Sequence, residues 1–102
     1  MDSAVENFRQ AITIQPDYAE AHMNLGAAYG NQGDFKKEIE CYEEAILLKP
    51  DYVQAYYNLG YSYEQQGKRE EAVRAYQKVL QIVPSHSNAR QALVRLQESR
   101  NS

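Results

Sequence analysis

The sequence predicts an all-α fold in which helical hairpins stack into a short solenoid. Pro16, Pro50 and Pro84 stand 34 residues apart, and aligning residues 19–52 on residues 53–86 gives nine identities. The identical pairs are Ala21/Ala55, Asn24/Asn58, Leu25/Leu59, Gly26/Gly60, Tyr29/Tyr63, Gln32/Gln66, Gly33/Gly67, Tyr42/Tyr76 and Pro50/Pro84. A fixed period of this length is typical of an array of stacked supersecondary units, in which each unit contacts only its neighbours.

The first helix of each unit is predicted from its apolar spacing. His22, Leu25 and Tyr29 fall at i, i+3 and i+7, the stripe of an amphipathic helix. Gly33 follows and is able to adopt a positive φ, so it ends the helix. The pattern therefore predicts a helix at residues 18–32, followed by a tight turn.

The second helix of each unit runs up to the proline that ends the period. Ile39, Tyr42 and Ile46 lie on one face of it, and the residue before Pro50 avoids the α region. Short breaks between helices force the members of a pair to lie antiparallel. Over the whole chain, the predicted helices are residues 2–15, 18–32, 35–48, 52–66, 69–82 and 86–100.

The two ends of the chain match partial units. Residues 1–18 correspond to a second helix alone, and residues 87–102 correspond to a first helix whose exposed side has become polar, as in a terminal solvating helix. With the whole repeats 19–52 and 53–86 between them, they form one domain over residues 1–102. We expect this domain to be a segment of a longer array.

Composition excludes several classes of function. Eleven basic and 14 acidic residues give a net charge of −3, without the basic face that a nucleic-acid partner requires. No apolar run approaches the roughly 20 residues of a membrane span, and the acidic N-terminus does not resemble a signal peptide. The lone Cys41 favours a reducing compartment, so we expect a cytoplasmic protein without membrane insertion.

No group of residues suggests catalysis, metal binding or a cofactor. His22 and His86 occupy structural slots of the repeat, and Cys41 has no base partner in the sequence. We therefore expect a protein that is not an enzyme. Glu38 stands where Ala72 stands in the next repeat, and we expect it to lean toward solvent or to pair with a basic neighbour, because a buried unpaired carboxylate is costly.

The repeat resembles the tetratricopeptide repeat family. The family motif begins with aromatic-x2-Leu-Gly-x2-Tyr, continues with Ala-x3-Tyr and ends with Pro. In this sequence it corresponds to Tyr56-x2-Leu59-Gly60-x2-Tyr63, Ala72-x3-Tyr76 and Pro84. The preceding repeat carries Leu25-Gly26-x2-Tyr29, Tyr42-x2-Ala45 and Pro50. The resemblance implies helical hairpins in a right-handed superhelix, whose first helices line a concave groove that binds a peptide segment or a partner helix.

The residues that the resemblance places in this groove are mostly amides, with two tyrosines as candidate anchors. They are Glu20, Met23, Asn24, Ala27, Asn31, Gln54, Tyr57, Asn58, Tyr61, Gln65, Asn88 and Gln91. Asn24 and Asn58, which precede Leu-Gly in both repeats, are similar to the asparagine ladder of O-GlcNAc-transferase-like arms, which hold extended peptides by their backbone. Ala92 takes this slot in the last helix, so the ladder has two rungs.

Other readings remain open at this point. Val5, Phe8 and Ile12 lack a covering first helix, so the chain is predicted to be able to associate with a second copy through them. Alternatively, the chain is the targeting arm of a larger enzyme. Binding of a chaperone tail is not expected, because the lysines with which such family members clamp a terminal carboxylate are missing here.

Overall fold

The computed structural model describes residues 18–101, and side chains up to residue 98. This part of the chain contains five helices and no strand: α1 (Ala19–Asn31), α2 (Phe35–Leu48), α3 (Val53–Gln65), α4 (Arg69–Ile82) and α5 (Ser87–Asn101). Each lies within about a residue of its predicted bounds, so the all-α repeat fold is confirmed. The predicted helix at residues 2–15, and with it Val5, Phe8 and Ile12, lies outside the described residues.

Glycine makes the turns between the paired helices. Gly33 has φ 81° between α1 and α2, and Gly67 has φ 77° between α3 and α4, the left-handed region that side chains disfavour. Asp34 then caps α2, since its side chain accepts a hydrogen bond from the Lys37 backbone N–H. The corresponding Lys68 offers no such cap to α4. The glycine turns thus form both hairpins, whereas capping strengthens only the first.

Within each hairpin, a tyrosine from the second helix packs on a glycine of the first. A Cβ atom added to Gly26 would lie 2.8 Å from a ring carbon of Tyr42, and one added to Gly60 would lie 3.0 Å from a ring carbon of Tyr76. The first distance is shorter than real Cβ contacts show, and the second is tighter than most of them, so a side chain at either position would push the tyrosine ring away. The two tyrosines are buried, so this contact fixes how closely the helices of a pair approach.

Two apolar clusters join successive units. The first contains Tyr42, Ala45 and Leu59, and connects the α1–α2 hairpin to α3 and α4. The second contains Tyr76 and Leu96, and connects α4 to α5. The core is therefore distributed along the array, with α2 packed between α1 and α3, and α4 packed between α3 and α5.

We expect Leu59→Ala to lower the free energy of unfolding by about 2–5 kcal/mol, because it empties a buried site between the hairpins. Leu47 is a matched control, since it lies in α2 with 75% of its surface exposed. Leu47→Ala should change stability by about 0.5 kcal/mol or less. Urea titrations of both variants measure the difference, and equal losses would contradict the assignment of the buried face.

Candidate functional site

A cavity of about 370 Å³ opens where α1, α2 and α3 meet. We call it the first cavity. Its lining residues are Ala27, Gly30, Asn31, Phe35, Glu38, Tyr42, Asn58, Tyr61, Ser62 and Gln65. Five of the predicted groove residues are among them, so the structure brings Ala27, Asn31, Asn58, Tyr61 and Gln65 together around one concavity.

The remaining predicted groove residues lie outside this cavity. Glu20, Gln54, Asn88 and Gln91 are exposed on the first helices of their units, and Asn24 is half-buried on α1. None of these five lines the first cavity. The predicted row is thus an exposed face along α1, α3 and α5, with one depression in it.

Two predicted groove residues are packed against the protein itself. Met23 is buried in the first apolar cluster, so the expectation that it faces a ligand is wrong. Tyr57 is half-buried, and its ring centre lies 5.5 Å from that of Tyr76 and 5.3 Å from that of His86. These contacts use the ring for packing against α4 and against the residue that caps α5. Tyr61, with 52% of its surface exposed, is the groove tyrosine that remains free for contact.

The structure also corrects the expectation for Glu38. Its side chain does not lean into solvent, because the residue is only 9% exposed, and no basic residue of the described chain pairs with it. Tyr42 donates from Oη to Oε2 at 3.0 Å, and Ser62 donates from Oγ to Oε1 at 2.7 Å. Two neutral hydroxyl groups therefore satisfy a buried carboxylate at the wall of the first cavity.

Gly30 makes room for this carboxylate. A Cβ atom at Gly30 would lie 2.6 Å from Cδ of Glu38, a distance that no pair of nonbonded carbons adopts. Burial is the main cause that raises the pKa of Tyr42, and the adjacent Glu38 carboxylate adds to it, so the Tyr42 hydroxyl keeps its proton and remains a donor.

The next repeat contains a related arrangement with the carboxylate on the opposite helix. Glu64 occupies the slot of Gly30, and Ala72 occupies the slot of Glu38. Tyr76, the counterpart of Tyr42, donates from Oη to Glu64 at 2.9 Å. The tyrosine–carboxylate hydrogen bond is therefore present in both repeats, although different helices supply the acid.

Glu64 has a cationic partner that Glu38 lacks. Arg95 of α5 donates from Nε at 2.8 Å and from a terminal nitrogen at 2.9 Å, so the pair is bidentate. The hydrogen bonds from Arg95 are the main cause that holds the pKa of Glu64 below its ordinary value, and the bond from Tyr76 acts in the same direction. Glu64, Gly67, Arg69, Arg95 and Leu96 line a cavity here of about 450 Å³, which we call the second cavity.

In the described part of the chain, Cys41 and His86 are side chains of types used in catalysis, and both have structural surroundings. Burial, with a smaller contribution from Glu40, raises the pKa of Cys41 to about 11, so its thiol is protonated at neutral pH. His86 Nδ1 accepts a hydrogen bond from the Ala89 backbone N–H and so caps α5. Among residues 18–98, no cluster of three or more potential ligands is placed to hold a metal ion.

Sequence reasoning missed the wall of the first cavity that α2 contributes. Phe35, Glu38 and Tyr42 line it together with Ser62, yet none was assigned to the groove. The unusual glutamate in a slot occupied by Ala72 in the next repeat was the available signal. Its partner Ser62 is 24 residues away, which the local pattern does not reveal. None of the helices in the described part of the chain is long and apolar enough to cross a membrane.

Comparison with known families matches the chain over most of its length. A family described as TPR repeat matches residues 1–33 and 32–67, and one described as tetratricopeptide repeat matches residues 53–86. No curated protein matches the sequence.

Several solved structures are similar to this one. A crystal structure of MamA is 29% identical with a TM-score of 0.91, and the match covers 95% of this chain and 57% of that one. The chain therefore spans a little over half the length of this structure. The Arabidopsis OM64 TPR domain is 25% identical, with a TM-score of 0.88, 94% of this chain covered and 79% of that one. The first TPR of Spaghetti (RPAP3), bound to the HSP90 peptide SRMEEVD, is 22% identical with a TM-score of 0.89, and the match covers 96% of this chain and 78% of that one.

We expect Arg95→Gln to lower the free energy of unfolding by about 1 kcal/mol at pH 7, a modest loss because Arg95 is largely exposed. Glu64 has a folded pKa below the unfolded value, so the pair stabilises the protein above the unfolded pKa, near 4.5, and this contribution is lost as pH falls through the folded pKa. The difference in unfolding free energy between the variant and wild type should therefore shrink as the pH falls below 4.5.

Arg90→Gln is the matched control, because Arg90 is exposed on the same helix and forms no ion pair with any residue of 18–98. Arg90→Gln should leave the pH dependence of stability below pH 4.5 the same as in wild type. Thermal unfolding from pH 2 to pH 7 provides the measurement. A deficit of Arg95→Gln that persists undiminished at pH 2 would contradict the linkage to Glu64.

Proposed function

Because the chain belongs to the tetratricopeptide repeat family, we propose that it is a non-enzymatic protein-interaction scaffold that holds an extended peptide segment along α1, α3 and α5. The observation that carries this proposal is the exposed row of amide side chains on those three helices, interrupted by the first cavity. A surface of this kind has no catalytic machinery, but it can bind a chain that lies across it.

Amide side chains suit an extended peptide because each supplies both a donor and an acceptor. Asn24 and Asn58 occupy the same position on α1 and α3, and Asn58 reaches the edge of the first cavity. Because the two asparagines are one repeat apart, we assign them the role of an asparagine ladder, in which each side-chain amide bonds to the backbone of the ligand. Recognition of this type depends little on the ligand's own side chains.

Tyr61 supplies the apolar anchor beside this row. More than half of its surface is exposed, and it stands between Asn58 and Gln65 at the rim of the first cavity. A tyrosine offers large contact area at a low cost in side-chain entropy and is enriched at binding hot spots. With Tyr57 committed to packing, we assign the anchoring role to Tyr61 alone.

The charge of the groove distinguishes the proposed ligand from an acidic one. The peptide bound to the RPAP3 domain, SRMEEVD, carries three acidic side chains. Here Glu38 lies at the wall of the cavity, and no lysine lines it. Like charges brought together with little water between them repel. A neutral or basic segment is therefore the ligand that this groove favours.

We expect Asn24→Ala combined with Asn58→Ala to weaken peptide binding by about 1–3 kcal/mol, the range for losing amide hydrogen bonds that become buried on binding. Partners recovered by affinity purification are converted to peptide arrays, and the tightest peptide is titrated calorimetrically. Binding should vary weakly with salt, because the groove carries no cluster of one sign.

The control is Glu43→Ala combined with Gln77→Ala, a pair of exposed positions with the same repeat spacing on α2 and α4. It should leave the affinity unchanged. If the control pair weakens binding and the asparagine pair does not, the partner binds to the second helices and the proposed groove is wrong.

A further inference from the structure

We propose that the first cavity is a binding site for an arginine side chain of the peptide, with the Glu38 carboxylate as its acceptor and Phe35 and Tyr61 as its walls. This inference rests on the proposed function, because the arginine would belong to the segment held in the groove. The evidence comes from comparing the two cavities of the same molecule.

The two cavities are built from corresponding positions of successive repeats. Phe35, Tyr61 and Ser62 of the first cavity correspond to Arg69, Arg95 and Leu96 of the second. Each cavity also contains one carboxylate that accepts a hydrogen bond from the repeat's buried tyrosine. The first cavity therefore has an acid and two aromatic rings where the second has an acid and two guanidinium groups.

The second cavity shows that such a carboxylate accepts a guanidinium group. Glu64 Oε1 accepts from Tyr76 Oη and from a terminal nitrogen of Arg95, while Oε2 accepts from Arg95 Nε. The tyrosine bond thus leaves room for bidentate pairing. A carboxylate has about four acceptor positions, and Glu38 uses one on each oxygen for Tyr42 and Ser62.

No cation of the described chain fills this role for Glu38. Lys37 and Lys36 are one and two residues away from Glu38 on α2, positions that point to other sides of a helix. Lys37 instead lies 3.9 Å from Asp34 Oδ2, and its Nζ lies 5.4 Å from the centre of the Tyr29 ring. The slot equivalent to Arg95 contains Tyr61. With no matching cation among residues 18–98, we assign that role to an arginine of the bound peptide.

The walls of the first cavity are suited to a planar cation. Phe35 is 41% exposed and Tyr61 is 52% exposed, so both rings are accessible beside the buried acid. Aromatic faces attract cations, and a guanidinium group stacks on them while its N–H groups bond to a carboxylate. A lysine ammonium would satisfy the charge but not the fork geometry, so arginine is the expected ligand.

The test is an NMR titration of the ¹⁵N-labelled chain with a blocked Ser-Arg-Ser peptide, compared with the same peptide carrying citrulline or lysine. We expect saturable shifts of the backbone amides of Phe35, Glu38, Tyr61 and Ser62. The arginine peptide should bind about tenfold more tightly than its neutral citrulline counterpart. Equal binding of the two peptides, or shifts confined to other residues, would overturn the inference.

Two variants test whether the Glu38 carboxylate itself causes the preference for arginine. Glu38→Gln preserves shape and an acceptor for Tyr42, and it should abolish the preference for arginine over citrulline. Glu64→Gln removes the equivalent acid of the next repeat and should leave the preference intact. Circular dichroism checks that both variants fold. If Glu38→Gln retains the preference, the inference is wrong.

Tyr61→Arg provides a second test, which does not require the Glu38→Gln variant to fold. It places a guanidinium group in the slot that Arg95 fills in the next repeat, so it should pair with Glu38, raise the melting temperature and prevent binding of the arginine peptide. Unchanged melting together with unchanged peptide binding would overturn the inference.

The asparagine double variant tests the proposed function independently of the arginine site. If the asparagine double variant loses its partner while wild type shows no preference for arginine, the groove binds peptide without the acidic pocket. If arginine binds at Glu38 and the asparagine variant retains its partner, the pocket exists and the backbone-holding role of the asparagines fails.

Discussion

The distance between paired helices is the constraint on which the rest of this molecule depends. It is set where Tyr42 packs on Gly26 and where Tyr76 packs on Gly60, because a Cβ atom on either glycine would push the tyrosine ring away. A close hairpin presents a continuous face to the next one, which is how the apolar clusters extend along the array. The same tyrosines direct their hydroxyl groups to the groove side, where each bonds to a carboxylate.

The shared tyrosine therefore links packing to recognition. Its ring is part of the core, while its hydroxyl group orients an acid at a cavity wall. A hydrogen bond from the tyrosine hydroxyl fixes the position of the carboxylate before a ligand arrives. In the first cavity the network extends further, because Gln66 Nε2 donates to Ser62 Oγ at 3.0 Å, and Ser62 in turn donates to Glu38. Residues from two hairpins thus position one carboxylate.

The fold was largely predictable from the sequence, because the features that determine it are local and repeated. Helical spacing located the five described helices, and the recurring glycine after each first helix indicated the two turns. The exposed position of Tyr61 also followed from helical spacing and the family resemblance.

The chemistry of the first cavity was not predictable in the same way. Met23 and Glu38 occupy positions whose burial depends on α3, a helix in the next repeat. Glu38 was recognisable as a departure from the repeat, but nothing in the local pattern linked it to Gly30, which makes space for it. In each repeat, a small residue stands opposite the glutamate, and this pairing is recognisable only when positions eight residues apart are compared in both repeats.

This exchange of the acid between helices has a consequence for recombination within the array. Gly30 with Glu38, and Glu64 with Ala72, are each self-consistent pairs. A hybrid hairpin with the first helix of the later repeat and the second helix of the earlier one would bring two carboxylates to one buried tyrosine. The opposite hybrid would supply none, leaving its hydroxyl group without an acceptor. Crossovers at the turn between paired helices are therefore disfavoured, while those between whole hairpins preserve the pairing, which makes the hairpin the unit of exchange in this array.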